Sequence, residues 1–137
     1  MPTARSELLV VDASVVLSVL IDPNPAADSI GRRLATATML APAVLPFEVA
    51  NVLRRRRNAG LLSPAEASLA FDGFGDLSIE LWPWDTVAAR VWQLGENLSS
   101  YDAAYVALAE QTGATLLTRD RRILGAPGIE CRVDAVE

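Results

Sequence analysis

Leu8-Leu9-Val10-Val11 is four apolar residues with no polar break, and Asp12 ends the run. A strand wetted on one face alternates apolar and polar side chains. An unbroken apolar strand is buried on both faces, which belongs to a parallel sheet covered by helices. Short apolar runs return at Met39-Leu40-Ala41, Ser78–Trp82 and Ala114–Thr118, separated by segments carrying helix signals. This alternation, without repeats or a linker, predicts one α/β domain over residues 1–137. Its architecture is three-layer α/β/α around a mostly parallel central sheet. The ends before Ser6 and after Val133 are expected to fray.

The helix signals are local. Ser14 can cap a helix running through Leu20, and Asp22-Pro23-Asn24-Pro25 reads as a turn. Asp28 opens a short helix towards Ala37. Pro46, Phe47 and Glu48 begin the next helix, with proline in its first turn, and Asn58-Ala59-Gly60 stops it. Ser63-Pro64-Ala65-Glu66 has the spacing of a capping box and starts a helix to about Phe74. Asp85 caps a helix through Leu94, and Ser99 or Ser100 caps the one that carries Asp102 and ends near Gly113. Ile129–Val133 is expected as a last edge strand.

About half of the residues are apolar, so disorder is the wrong class. Cys131 stands alone, which excludes an internal disulfide and a Cys/His zinc set and favours a reducing, cytoplasmic setting. Leu8–Leu20 is broken by Asp12, too short to span a bilayer and without a small-residue cleavage site, so no membrane association is expected. The net charge of −5 argues against general coating of nucleic acid. It leaves room for an acidic catalytic centre beside a local basic patch. The chain has no histidine and no lysine, so every cationic side chain is an arginine, suited to forked contacts with phosphate or carboxylate.

Asp12, Glu48, Asp102 and Asp120 each follow a strand-like run or lie in the first turn of an expected helix. Singly, each has a structural explanation: a strand end, a turn cap, or a carboxylate favoured by a helix dipole. Together they fall on the sheet edge where α/β folds bind ligands. Carboxylates crowded there repel one another unless protonated or neutralised by a cation. Ser14 and Thr118 add hydroxyls beside Asp12 and Asp120. Oxygen-only ligation suits Mg²⁺ or Mn²⁺ rather than zinc.

VVDAS, PFEVANVL, YDAAYVALAE and LLTRD occur in this order along the chain. In these four motifs the sequence resembles the PIN-domain ribonucleases, most nearly the VapC toxins of prokaryotic type II toxin–antitoxin pairs. The resemblance covers almost the whole chain, and Asn51, one turn beyond Glu48, fits it too. It implies a metal-dependent endoribonuclease whose Asp12, Glu48, Asp102 and Asp120 are catalytic and hold Mg²⁺ or Mn²⁺, with Asp12 and Asp102 as principal direct ligands. Ser14, Thr118 and Asn51 would orient ligands or water. The implied partners are an RNA substrate and a cognate VapB-type antitoxin that inhibits the enzyme. A homodimer and a larger toxin–antitoxin assembly are also implied.

Arg119, Arg121 and Arg122 flank Asp120 and are candidates for RNA phosphate contacts. Arg54–Arg57 could form a phosphate track, a partner patch or a solvated helix end. Four successive residues span a full helical turn, so they cannot all face one groove. Trp82, Trp84 and Trp92 are read as core or dimer packing, Phe71 and Phe74 as core or interface, and Tyr101 as the aromatic nearest substrate. A receiver-like domain would need an adjacent acidic pair and a lysine. A haloacid-dehalogenase-like phosphatase would need an aspartate where Ser14 stands, and no GK[ST] P-loop occurs. The remaining alternative, a non-catalytic PIN-fold RNA-binding or scaffold protein, is marked by loss of an acid, and here all four are present.

Overall fold

The computed structural model describes residues 6–22 and 24–136, which form five strands and six α-helices. In chain order these are β1 (Leu8–Val11), α1 (Ala13–Ile21), α2 (Pro25–Ala35), β2 (Thr38–Pro42), α3 (Leu45–Asn58), α4 (Pro64–Gly75), β3 (Ile79–Trp82), α5 (Trp84–Gln93), α6 (Ser100–Thr112), β4 (Thr115–Thr118) and β5 (Val133–Ala135). A 3₁₀ turn, Arg121–Gly125, joins the last two strands. The sheet order is β3-β2-β1-β4-β5, and every pairing is parallel. The chain therefore winds outward from β1 to β3, then returns across the centre to β4. With right-handed crossovers this places α1–α4 on one face and α5 and α6 on the other. The packing agrees: α1 contacts α2, α3 and α4, whereas α5 lies on α6 and α6 lies on β1, β2 and β4.

The unbroken apolar strands behave as their composition requires. Leu9, Val10, Val11, Leu116 and Leu117 are fully buried. The Ala103–Ala109 stretch of α6 is buried on every side. That is how a helix enclosed between a sheet and another helix reads, and its alanines let the backbone approach the strands closely. Gly113, at φ 75°, closes the helix in the left-handed conformation that glycine adopts without strain. The capping box at Ser63 and Glu66 forms as its spacing predicts. No helix among the described residues is long and apolar enough to cross a membrane.

Several boundaries differ from the sequence expectation. Asp12, not Ser14, caps α1, because its carboxylate accepts the Val15 N–H at 3.1 Å. Asn24 caps α2 through Ala27 N–H at 2.9 Å with Pro25 in the first turn, so this helix begins ahead of Asp28 and ends at Ala35. Pro23 lies outside the described residues. Helix α5 starts at Trp84 behind Pro83, and Asp85 sits in its first turn instead of capping it. Of the two caps expected for α6, Ser99 is the one that forms, as its side chain accepts the Asp102 N–H.

The last strand is Val133–Ala135, later than Ile129–Val133. Two arginines explain the shift. Arg90 reaches the Gly128 carbonyl at 2.7 Å and grips Glu110, which in turn accepts Glu130 N–H at 2.7 Å, so the approach to the strand is held as a loop. Arg33 then binds Asp134 at 2.5 Å and Glu7 at 2.9 Å, tying the terminal strand to α2. Strand β5 lies against β4, and Val136 N–H donates to the Thr118 carbonyl at 2.8 Å. The expectation of fraying at residues 1–5 falls outside the described residues.

Leu108 is fully buried on α6, whereas Leu69 on α4 is 74% exposed. Leu108→Ala is expected to destabilise the protein by about 2–5 kcal/mol in urea unfolding. Leu69→Ala should stay within about 0.5 kcal/mol of the parent.

Candidate active site

The strand order reverses between β1 and β4, and the carboxyl ends of these two strands open the crevice expected at such a switch point. Asp12 leaves β1 there, with its N–H on the Leu117 carbonyl at 3.3 Å. Its Oδ1 accepts hydrogen bonds from Ser14 Oγ at 2.5 Å and Val15 N–H at 3.1 Å, and its Oδ2 accepts one from the buried Thr118 hydroxyl. Both hydroxyls also accept: Ser14 Oγ from Arg119 N–H at 3.1 Å, and Thr118 Oγ1 from Asp120 N–H at 3.0 Å. The exit of β4 is thus fastened to Asp12 through two hydroxyl relays. A carboxylate offers about four acceptor sites, so an open direction remains on Oδ2. Burial pushes the Asp12 carboxyl above its ordinary range. The bonds from Ser14, Thr118 and Val15 oppose that shift, and the charge of Asp102 adds to it.

Glu48 enters from the first turn of α3. It accepts a hydrogen bond from the Tyr105 hydroxyl of α6 at 2.6 Å, which joins the two helical layers across the sheet edge. Burial again raises the Glu48 pKa. The Tyr105 bond lowers it, and the charges of Asp12 and Asp102 raise it further. Burial and Glu48 together raise the Tyr105 hydroxyl, which therefore stays a donor. Asp102 lies in the first turn of α6, where Ser99 Oγ accepts its N–H at 3.1 Å. Its carboxylate has no hydrogen-bond partner among the described residues.

Asp12, Glu48 and Asp102 therefore come from three segments into one electrostatic neighbourhood, and none of the ion pairs among the described residues involves them. Asp120 is arranged differently. It caps the 3₁₀ turn through Arg122 N–H and pairs with the Arg122 guanidinium at 2.7 Å, which lowers its pKa. The Arg122 charge also feels Asp102, so this ion pair stands at the rim of the acidic group. No set of three Asp, Glu, His or Cys side chains among the described residues encloses a common metal position. Mg²⁺ commonly takes one or two carboxylates and completes its shell with water and substrate oxygens. Two part-buried carboxylates, Asp12 and Glu48, whose pKa values burial and neighbouring carboxylates raise, with only oxygen donors nearby, match that requirement.

The other expected residues separate. Asn51 is exposed on a groove of about 480 Å³ that also holds Glu48, Phe47, Arg55 and Tyr101. Arg119 turns away from Asp120 to α1, where its Nη1 donates to Ser18 Oγ at 2.6 Å and approaches Asp22 at 3.3 Å. Arg121 is exposed and makes no side-chain hydrogen bond among the described residues. The arginine run divides as helical geometry demands. Arg54 and Arg57 face a groove between α3 and α4 together with Asp72 and the largely exposed Phe71, whereas Arg55 and Arg56 face the opposite groove beside Ser14. Trp82 and Phe74 pack half-buried on the core. Trp84 and Trp92 are 59% and 88% exposed, so they are not core residues of this chain.

Tyr105, Ser18 and Asp22 escaped the sequence reading, yet each left a periodic signal. Tyr105 lies three residues after Asp102 on a helix, and Ser14, Ser18 and Asp22 follow one another at intervals of four along α1.

The PIN domain family matches residues 9–128. VapC ribonuclease Mb0985 of Mycobacterium bovis is 33% identical, over 94% of this chain and 98% of its own. Among solved structures, PAE2754 from Pyrobaculum aerophilum superposes with a TM-score of 0.67 at 25% identity, covering 94% of this chain and 83% of that one. The DNA-bound VapBC from Salmonella typhimurium shares the fold at a TM-score of 0.67 and 15% identity, over 96% of this chain and 98% of that one. The matched span holds all four acidic motifs, and the chain belongs to the PIN-domain family, among its VapC ribonucleases.

Proposed function

We propose that this protein is a cytoplasmic, Mg²⁺- or Mn²⁺-dependent endoribonuclease, the toxin of a toxin–antitoxin pair. The observation that carries the reading is the group of Asp12, Glu48 and Asp102. Burial and the charge of Asp102 raise Asp12 and Glu48, and no arginine among the described residues pairs with any of the three. Such a site favours an external cation. The ribonuclease name of the M. bovis relative supports RNA as the substrate. The similarity in fold to VapBC supports a VapB-type antitoxin as the partner, within a homodimeric or larger assembly. A groove bounded by α1, α2 and α4, where Leu20, Ile21 and Leu69 stand beside Asp28, Arg32 and Glu66, offers a surface for a segment of that antitoxin.

In this reading Asp12 and Asp102 hold the cation, with Glu48 and Asp120 assisting directly or through water. A divalent ion supplies charge neutralisation at the phosphodiester and a lowered water pKa. The chain does the rest. Ser14 and Thr118 fix the orientation of Asp12, and Tyr105 fixes Glu48. Glu48, with its raised proton affinity, accepts the proton of the attacking water as its oxygen bonds to phosphorus. The phosphorus–oxygen bond to the leaving ribose breaks, and that oxygen takes a proton from solvent. Asn51 borders the same groove and positions water.

Purified, antitoxin-free protein incubated with total RNA should give discrete fragments with Mg²⁺ or Mn²⁺ and none with a chelator. Asp12→Asn should lower cleavage by more than about 10²-fold, and Thr118→Val or Ser14→Ala by roughly 10–100-fold, as expected when ligand orientation is lost. Intact RNA under every condition, from folded protein that binds metal, would instead assign a non-catalytic role.

The raised carboxyls also set a pH dependence. Asp12 and Glu48 lie above their ordinary values of 3.8 and 4.5, so the folded state holds their protons more tightly than the unfolded chain. Their stabilising contribution is complete below those ordinary values and lost as pH rises through the raised ones. Divalent cation should therefore raise the thermal midpoint more at neutral pH than near about pH 5. An equal shift at both, measured by differential scanning fluorimetry, would contradict this.

A further inference from the structure

Beside the acidic group, on the other side of Ser14, lies a groove of about 610 Å³ bounded by α1, α3 and the exit of β4. Arg55, Arg56 and Arg119 face it, and Asp22 is the single acid among its lining residues. Arg119 is seated rather than loose. Its Nη1 donates to the hydroxyl of Ser18, a side chain only 1% exposed, and approaches one oxygen of Asp22. The other Asp22 oxygen meets Arg56 Nη1 at 3.6 Å. One acid thus sets the positions of two guanidinium groups that would otherwise repel each other. Nε and Nη2 of Arg119 have no hydrogen-bond partner among the described residues, so part of its fork remains available. Three arginines against one aspartate leave the groove cationic, and Ser14 Oγ ties its wall directly to Asp12. Ala13, Val52 and Arg55 also line the adjoining groove that contains Glu48, so the two grooves share a wall.

We infer that this groove is a phosphate subsite of the nuclease. It holds an RNA backbone phosphate next to the scissile one, with Arg119 as a fixed fork and Arg55 and Arg56 closing from α3. The inference rests on the nuclease reading above and adds the residues that place the strand. Forked guanidinium groups match phosphate oxygens, and contacts of this kind set register without reading sequence. The adjacent polarity has a physical use: an acidic site repels the polyanion it must cleave, and a cationic groove one step away offsets that repulsion. Arg121 and Arg122, which the sequence placed with Arg119, stand apart from the groove.

The test measures binding separately from cleavage. A fluorescent pool of random-sequence single-stranded RNA is titrated with the protein in chelator over a range of salt, and cleavage of total RNA is followed with Mg²⁺. Arg119→Ala and Arg56→Ala should each weaken binding about tenfold, the scale of a lost hydrogen bond to a charged group. Each should also lower the slope of log affinity against log salt by about 0.7. Arg119→Lys, which keeps the charge but not the fork, should keep the slope and lose part of the affinity. Arg132→Ala, at the opposite edge of the sheet, should match the parent. Asp12→Asn should bind while failing to cleave.

If the arginine variants bind and cleave like the parent while Asp12→Asn is inactive, the subsite is overturned and the nuclease reading stands. Loss of antitoxin binding alone, with RNA affinity unchanged, also overturns it and makes the groove a protein interface. A parent protein that neither binds nor cleaves RNA overturns both readings.

Discussion

Where β1 and β4 lie side by side, Val11 opposes Leu117, and the next residues along are Asp12, just past β1, and Thr118, the last of β4. The parallel register leaves these two at one edge, within hydrogen-bonding reach, with apolar residues buried behind them. A carboxylate there could not remain in that position unsupported, since burial works against its charge. Its support comes from the same register: the Thr118 hydroxyl from β4, and Ser14 and Val15 from the first turn of α1. Displacing β4 by one residue would turn Thr118 to the other face of the sheet and remove one of these bonds.

The rest of the site is assembled by the two helical layers meeting over that edge. Helix α3 belongs to one face and α6 to the other, and the Tyr105–Glu48 hydrogen bond is where they touch. This explains why a residue in the most buried helix of the protein takes part in the site. Tyr105 keeps its ring in the core and places only its hydroxyl at the crevice, the usual division of labour for a buried tyrosine. It also explains why Glu48 does not simply extend into solvent from its helix terminus.

Around this centre the charges are sorted by sign. Three carboxylates lie together without a cationic partner among the described residues, Arg122 is occupied by Asp120 at the rim, and three arginines gather beyond Ser14 around Asp22. The sorting depends on the turn of α3, which sends Arg55 and Arg56 one way and Arg54 and Arg57 the other. A net charge of −5 thus coexists with a cationic groove, because net charge describes the whole surface and binding responds to its local distribution.

The fold class was legible in the chain because unbroken strands such as Leu8–Val11, alternating with helix signals, suit a parallel sheet covered by helices on both faces. The acidic motifs were legible for a related reason, since a charge ending an apolar run must lie where the run leaves the core. Boundaries set by local competition were less so: Asp12 took the cap expected of Ser14, and Arg33 and Arg90 moved the last strand to Val133. The partners of those charges were decided only by tertiary structure. Arg119 adjoins Asp120 in sequence and Arg122 lies two residues on, yet Arg122 pairs with it while Arg119 crosses to Ser18 and Asp22. Linear spacing determines which side chains reach the sheet edge. Which of them meet there depends on contacts between residues about a hundred positions apart, such as Thr118 with Asp12 and Arg119 with Ser18, and those exist only once the sheet has closed in register.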